Sequence, residues 1–174
     1  MDIRVATGED WAGLWPIIEE VVRRGGTYCW PEDATEEQCR AWWMGKVGGT
    51  VFVAVDDDGA VAGTAELHPN QPAAGSHVAN AGFMVASSAS GRGLGRALAT
   101  HVIEAAAGQG FTAMQFNAVV STNVHAIRLW QSLGFEVLAV IPQAFNHPVH
   151  GLVGLNVMHR ALWPAPLPAL LEAE

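Results

Sequence analysis

Met84-Val85-Ala86-Ser87-Ser88-Ala89-Ser90-Gly91-Arg92-Gly93-Leu94-Gly95-Arg96-Ala97 is the stretch that decides how this chain folds. An apolar run from Val78 to Val85 reads as a strand, a glycine-rich turn follows, and a helix opens at Leu94 with small residues in its first turn. The backbone N–H groups of such a turn, backed by the positive end of a helix dipole, form a cradle for phosphate. Glycines let the main chain approach an anion with no Cβ in the way. Arg92 and Arg96 add positive charge here, in a chain with only 9 Lys and Arg against 17 Asp and Glu. A turn that merely joins strand to helix would look similar, so the loop alone leaves both readings open. Two other phosphate motifs fail on residues. A P-loop needs Lys-Ser/Thr after its last glycine, and Arg96-Ala97 stands there. A dinucleotide fingerprint needs GxGxxG and an acid at the end of the next strand, whereas this loop is GxGxG and Thr112 to Val120 holds no acid.

Outward from the loop the pattern is mixed α/β. Upstream lie a short strand at Ile3 to Ala6 and a helix capped at Thr7, with Leu14, Ile17, Ile18, Val21 and Val22 at helical spacing, ending at Gly25-Gly26. A second helix runs from about Thr35 to Met44, then a strand at Val51 to Val55, a turn at Asp56 to Gly59 and a strand at Val61 to Leu67. Downstream of the Leu94 to Gly108 helix come a strand at Ala113 to Val119 and a helix at Val124 to Ser132. Two further strands follow, at Gly134 to Ile141 and Leu152 to His159. The three consecutive strands before Met84 should be antiparallel, and the two that flank the Leu94 helix parallel with a right-handed crossover. Residues 1–162 read as one domain, with a tail at 163–174 rich in proline.

Composition narrows the function. Half the residues are apolar and the formal charge is -8, with no basic run, so a nucleic-acid partner is not expected. Cys29 and Cys39 lack CxxC spacing and a neighbouring His at ligand distance, so they read as reduced thiols, and no metal site is expected. No secretory signal and no membrane-spanning stretch are expected, which points to a cytoplasmic protein.

A second block, Asn123-Val124-His125-Ala126-Ile127-Arg128-Leu129-Trp130-Gln131-Ser132-Leu133-Gly134-Phe135, joins the glycine loop in a family resemblance. The loop is similar to Arg/Gln-x-x-Gly-x-Gly/Ala and the block to Asn-x-x-Ala-x-x-Leu-Tyr-x-x-Leu-Gly-Phe. Together they resemble the GNAT superfamily of N-acetyltransferases over about residues 2–160. The resemblance implies the GNAT fold, a mixed central sheet of about seven strands flanked by about four helices. It also implies transfer of an acetyl group from acetyl-CoA to an amine by direct attack in a ternary complex. Main-chain groups of Met84 and Val85 would pair with the pantetheine arm, Gly91, Arg92, Gly93, Leu94, Gly95 and Arg96 would hold the pyrophosphate, and Asn123 would meet the cofactor near its pantetheine end. Two positions depart from the pattern. Ser90 removes a cationic or amide side chain from the cradle. Trp130 replaces a Tyr whose hydroxyl protonates the leaving thiolate in many members, and an indole N–H has no useful acidity.

An acceptor amine must lose its proton to attack. Near the sheet centre the sequence offers Glu66, His68 and His77, of which Glu66 is the first choice of base; a solvated strand residue is its alternative. Asn80 shares strand parity with Gly82 and Met84, and Asn117 also lies in an apolar strand; both are candidates to grip an acceptor carboxylate or carbonyl. A narrower resemblance supports this. Residues 69–135, through Pro69-Asn70-Gln71-Pro72, Gly75 to Phe83, Phe116-Asn117 and Thr122-Asn123, are similar to the yeast acetyltransferases that detoxify azetidine-2-carboxylate, a proline analogue. The likeness implies that Asn80 and Asn117 bind and position the acceptor, Asn117 with a catalytic part. Tyr28 and Trp30 read as pocket walls, Trp43 as core, and with Trp42 they offer a cage for an ammonium or a flat ring.

The reading is an acyl-CoA-dependent N-acyltransferase that acetylates a small amine or amino acid. Its competitors are a protein or peptide amine acetyltransferase and a CoA-binding module without catalysis. Homodimers are common among GNAT relatives, but no self-complementary patch stands out in the sequence.

Overall fold

The computed structural model describes residues 1–162, and the expected tail at 163–174 lies outside them. The strands are β1 (Asp2–Val5), β2 (Thr50–Val55), β3 (Val61–Pro69), β4 (Val78–Val85), β5 (Ala113–Val120), β6 (Glu136–His147) and β7 (Gly151–Ala161). The helices are α1 (Trp11–Arg24), α2 (Glu36–Met44), α3 (Leu94–Gly108) and α4 (Val124–Ser132). One seven-stranded sheet has the order β1-β2-β3-β4-β5-β7-β6. All its pairs are antiparallel except β4–β5, which is parallel and is bridged by α3 as the element order requires.

Local chemistry sets the element ends. Thr35 caps α2 reciprocally, its Oγ1 accepting from Gln38 N–H and its N–H donating to Gln38 Oε1. Gly25 closes α1 in the left-handed region at φ 60°. The two faces of the sheet bury separate cores. Phe52, Ala65 and Leu67 pack with Leu98 and Val102 of α3, and with Trp130 of α4. On the opposite face Val51, Val53 and Met84 pack with Leu14 and Ile18 of α1 and Trp43 of α2.

β6 runs six residues beyond its expected end at Ile141. Pro142 has no N–H for a ladder, but the register slips between Ile141 and Phe145 and Gln143 takes a φ of 54°, so a bulge absorbs the proline and pairing resumes. Among the described residues no helix is long and apolar enough to cross a membrane.

The feature that positions the site is where β4 and β5 stop pairing. Only Val78 and Ala79 face β5 partners, Ala113 and Met114; beyond them the strands diverge. The β3–β4 ladder continues to Gly63↔Val85. A wedge therefore opens in the sheet centre, bounded by the second half of β4, β5 and the start of α3.

Candidate active site

A cleft of about 640 Å³ fills this wedge. The glycine loop and Asn123 line one end; Tyr28, Trp30, Lys46, Glu66 and Asn80 line the other. Gly91 and Gly93 have φ of 75° and 80°, and a Cβ built on either meets no atom of the described residues within 4 Å. The loop thus presents bare main chain at the N-terminus of the fifteen-residue helix α3. That donor set suits a pyrophosphate.

Main-chain parity sharpens the contact expected with a pantetheine arm. Ala86 N–H donates to Ala62 C=O on β3 at 2.9 Å, so by the period of two Met84 and Gly82 also turn their main-chain groups to β3. Phe83 and Val85 turn theirs to the wedge. Of the two residues expected to pair with the pantetheine arm, Met84 thus turns its main-chain groups to β3, and Val85 turns its own to the wedge. The N–H of Phe83 is already held: it donates to the Tyr28 hydroxyl (2.9 Å), which donates back to Phe83 C=O (3.1 Å). Ala81 N–H donates to the side-chain oxygen of Asn80 at 2.8 Å. Burial, and then the negative charge of Glu66, push the Tyr28 hydroxyl above its ordinary pKa.

The arginine side chains need a correction too. Arg96 donates to Ser132 Oγ on α4 at 2.7 Å, and Arg92 lines a separate hollow with Asp56, Asp57 and Asp58, so neither side chain lines the cleft. Arg96 is engaged outside the cradle, and Arg92 faces the acidic turn at Asp56 to Asp58. Asn123 caps α4 by accepting from Ala126 N–H (3.2 Å) and lines the cleft beside the loop. Trp130 is buried against Phe83 and Phe116, with ring centres 4.9 and 4.7 Å away.

At the acceptor end the structure brings Glu66, Asn80, Tyr28 and Trp30 together. Glu66 is only 4% exposed, which removes the alternative of a solvated strand residue. Its Oε1 accepts from Lys46 Nζ at 2.6 Å, and its Oε2 is buried with no hydrogen-bond partner among the described residues. His68 stands behind. Its Nδ1 lies 2.8 Å from Pro69 C=O, which can only accept, so Nδ1 carries the proton and Nε2 accepts from Lys46 Nζ at 3.0 Å. His77 is exposed ahead of β4 and does not line the cleft.

Asn117 lines the cleft at a register break in β5, but its amide is engaged: it donates to Asn70 Oδ1 (2.7 Å) and accepts from Gln115 Nε2 (2.9 Å). Of the four-ring cage only Tyr28 and Trp30 line the cleft. Trp42 backs Trp30 at 5.1 Å, and Trp43 is core, donating its indole N–H to Thr64 Oγ1. Sequence reasoning missed Lys46. The signal was present, because it is the only lysine in the chain.

A seven-stranded mixed sheet splayed between β4 and β5, with a bare glycine turn at a helix N-terminus at one end of the wedge and a buried carboxylate at the other, fits the class of CoA-dependent acyltransferases. The chain belongs to the GNAT acetyltransferase family, whose model matches residues 15–135. A GCN5-related N-acetyltransferase structure from Kribbella flavida is 50% identical, with a TM-score of 0.88 over 92% of this chain and 96% of that one. The yncA structure from Salmonella typhimurium, solved with its cofactor acetyl-CoA, is 27% identical, with a TM-score of 0.84 over 97% of each chain. A ribosomal-protein-alanine N-acetyltransferase from Brucella melitensis is 28% identical, with a TM-score of 0.81 over 92% of this chain and 99% of that one. Among curated proteins, N-acetyltransferase aca1 of Schizosaccharomyces pombe is 36% identical over 91 residues, 52% of this chain and 44% of that protein. The chain thus spans less than half the length of the curated relatives it matches.

Proposed function

We propose that this protein transfers an acetyl group from acetyl-CoA to the amine of a small molecule, an amino acid in particular, by direct attack in a ternary complex. The observation that carries this reading is that one cleft joins the glycine cradle to the Glu66 carboxylate through the β4–β5 wedge. Acetyl-CoA supplies the activated acyl group: the N–C bond forms as the thioester C–S bond breaks, and the thiolate departs. The main chain of the glycine loop holds the pyrophosphate, Val85 orients the pantetheine arm, and Asn123 flanks it. Glu66 takes the amine proton, directly or through one water. Trp130 offers no acid, so the thiolate leaves unassisted or takes its proton from water. Tyr28 and Trp30 wall a pocket suited to a small side chain, and the acceptor is positioned by Asn80 and by the second side-chain N–H of Asn117, the one not given to Asn70.

The likeness of residues 69–135 to azetidine-2-carboxylate acetyltransferases makes that imino acid the first acceptor to try. The likeness to the ribosomal-protein-alanine enzyme favours a second reading, a peptide N-terminus as acceptor. Free-thiol release from acetyl-CoA, measured against azetidine-2-carboxylate, common amino acids, polyamines and alanine-initiated peptides, separates them. Turnover of the free amino acids supports the first reading and turnover of peptides alone the second. Tight acetyl-CoA binding with no turnover of any amine contradicts both.

A further inference from the structure

We propose that Lys46 reads the carboxylate of the acceptor, so that the site takes α-amino or α-imino acids in preference to the same amines without a free carboxylate. The inference rests on the amino-acid reading above and adds the residue that enforces it.

Lys46 and Asn80 hold unspent hydrogen-bond donors at the acceptor end of the cleft. A lysine ammonium has three N–H groups. Glu66 Oε1 takes one at 2.6 Å and His68 Nε2 a second at 3.0 Å, which leaves the third without a protein acceptor among the described residues. Lys46 lines the cleft, and its side chain is 32% exposed, while its partner Glu66 is almost wholly covered. The free end of this ion pair therefore belongs to the cation.

A second donor stands next to it. Asn80 spends its carbonyl oxygen on Ala81 N–H, so its NH₂ group is left to the cleft. The β3–β4 register sets Asn80 directly opposite His68, the residue that holds Lys46, and sets Gly82 opposite Glu66. Cross-strand partners share a face. Lys46, Asn80 and Glu66 thus converge on one end of the cleft: two unspent donors for an anion beside a carboxylate for an amine. That is the complement of an amino acid, whose amine and carboxylate are one carbon apart. A simple amine would leave these donors unanswered, and the second ammonium of a polyamine would be repelled by Lys46 in a confined cleft. In a chain of net charge -8, the only lysine sits where an anionic group would have to be recognised.

Methyl esters test this, because esterification removes the carboxylate and keeps the reacting nitrogen. An ester also makes the amine less basic, which by itself favours attack at neutral pH, so a preference for the acid cannot arise from the nitrogen. Azetidine-2-carboxylate, alanine and methionine sulfoximine, each beside its methyl ester, form the panel. The wild-type protein is expected to favour the acid by about ten- to a hundredfold in kcat/KM, the size of one charge-assisted hydrogen bond, mainly through KM. Lys46→Met should collapse that ratio to within about threefold, whatever it does to the overall rate through Glu66, and Lys46→Arg should retain a preference for the acid. In protein carrying isotope-labelled lysine, the single side-chain ammonium resonance should move on adding the acid and stay in place on adding the ester. A role confined to holding Glu66 would lower both rates in Lys46→Met equally and leave the ratio unchanged, which overturns the proposal. Equal turnover of acid and ester by the wild type overturns it too, while N-acetylation itself stands. No turnover of either member of any pair overturns both this inference and the amino-acid reading.

Discussion

Gly82 and Tyr28 show how closely the acceptor end is built. A Cβ added at Gly82 would lie 2.9 Å from Glu66 Oε1, 3.0 Å from the Tyr28 hydroxyl and 3.1 Å from the Trp43 ring. Three anchored groups would have to give way, so Gly82→Ala is expected to raise the acceptor KM at least tenfold. Acetyl-CoA affinity, read by calorimetry, should stay within about threefold, because the cradle lies at the other end of the wedge. Tyr28 is the only tyrosine, so its ionisation can be followed alone. Burial and the Glu66 charge hold its proton past the ordinary value of about 10; ultraviolet titration should show tyrosinate only above that pH or upon alkaline unfolding. At this scale the sequence reveals little. Glu66 is legible as a candidate base, but its burial depends on α2 covering the sheet, and Lys46 reaches it only through the turn after Met44. A lone Lys between Gly45 and Val47 has no pattern to read; its singularity in the chain is the one available clue.

Elements explain what single residues cannot. The glycine turn is legible because its requirements are local: positive φ at Gly91 and Gly93, then a helix N-terminus. Gly93→Asp brings both a strained left-handed residue and a negative charge to the cradle. Acetyl-CoA affinity is expected to fall about a hundredfold or more while the circular dichroism spectrum is preserved; unchanged affinity would place the pyrophosphate elsewhere. The start of α1 carries a pH-sensitive device. Asp10 accepts from Thr7 N–H at 2.7 Å and takes a two-pronged contact from Arg4, which holds its carboxyl well below the usual range. A carboxyl lowered in the native state contributes stability above the unfolded value of about 3.9, and loses it as pH falls through the lower native value. Asp10→Asn should therefore cost about 1 kcal/mol in urea denaturation at pH 7, and the difference from wild type should shrink as the pH drops below about 4. The continuation of β6 past Pro142 was not legible, because a bulge is decided by the partner strand β7 rather than by the proline itself.

Across the whole molecule, strand order follows from connectivity, and connectivity is written in the spacing of apolar runs. The antiparallel β2–β3–β4 run and the parallel β4–β5 pair could both be read that way. The wedge could not be read from periodicity, since it depends on where pairing stops, and β4 and β5 continue as strands after they part. That divergence turns a sheet into an enzyme site: it frees the main chain of Val85 and opens a path from the glycine loop to Glu66. In the proposed mechanism Glu66 receives the acceptor's proton within that cleft. The measurement that tests it most directly is acetyl-CoA turnover by wild type and Glu66→Gln with the best acceptor from the panel, with acetyl-CoA affinity determined on the same samples. In Glu66→Gln, kcat is expected to fall by about a hundredfold or more, with acetyl-CoA affinity unchanged and the residual rate rising with pH as the free amine becomes available. A Glu66→Gln protein that turns over at the wild-type rate would contradict it.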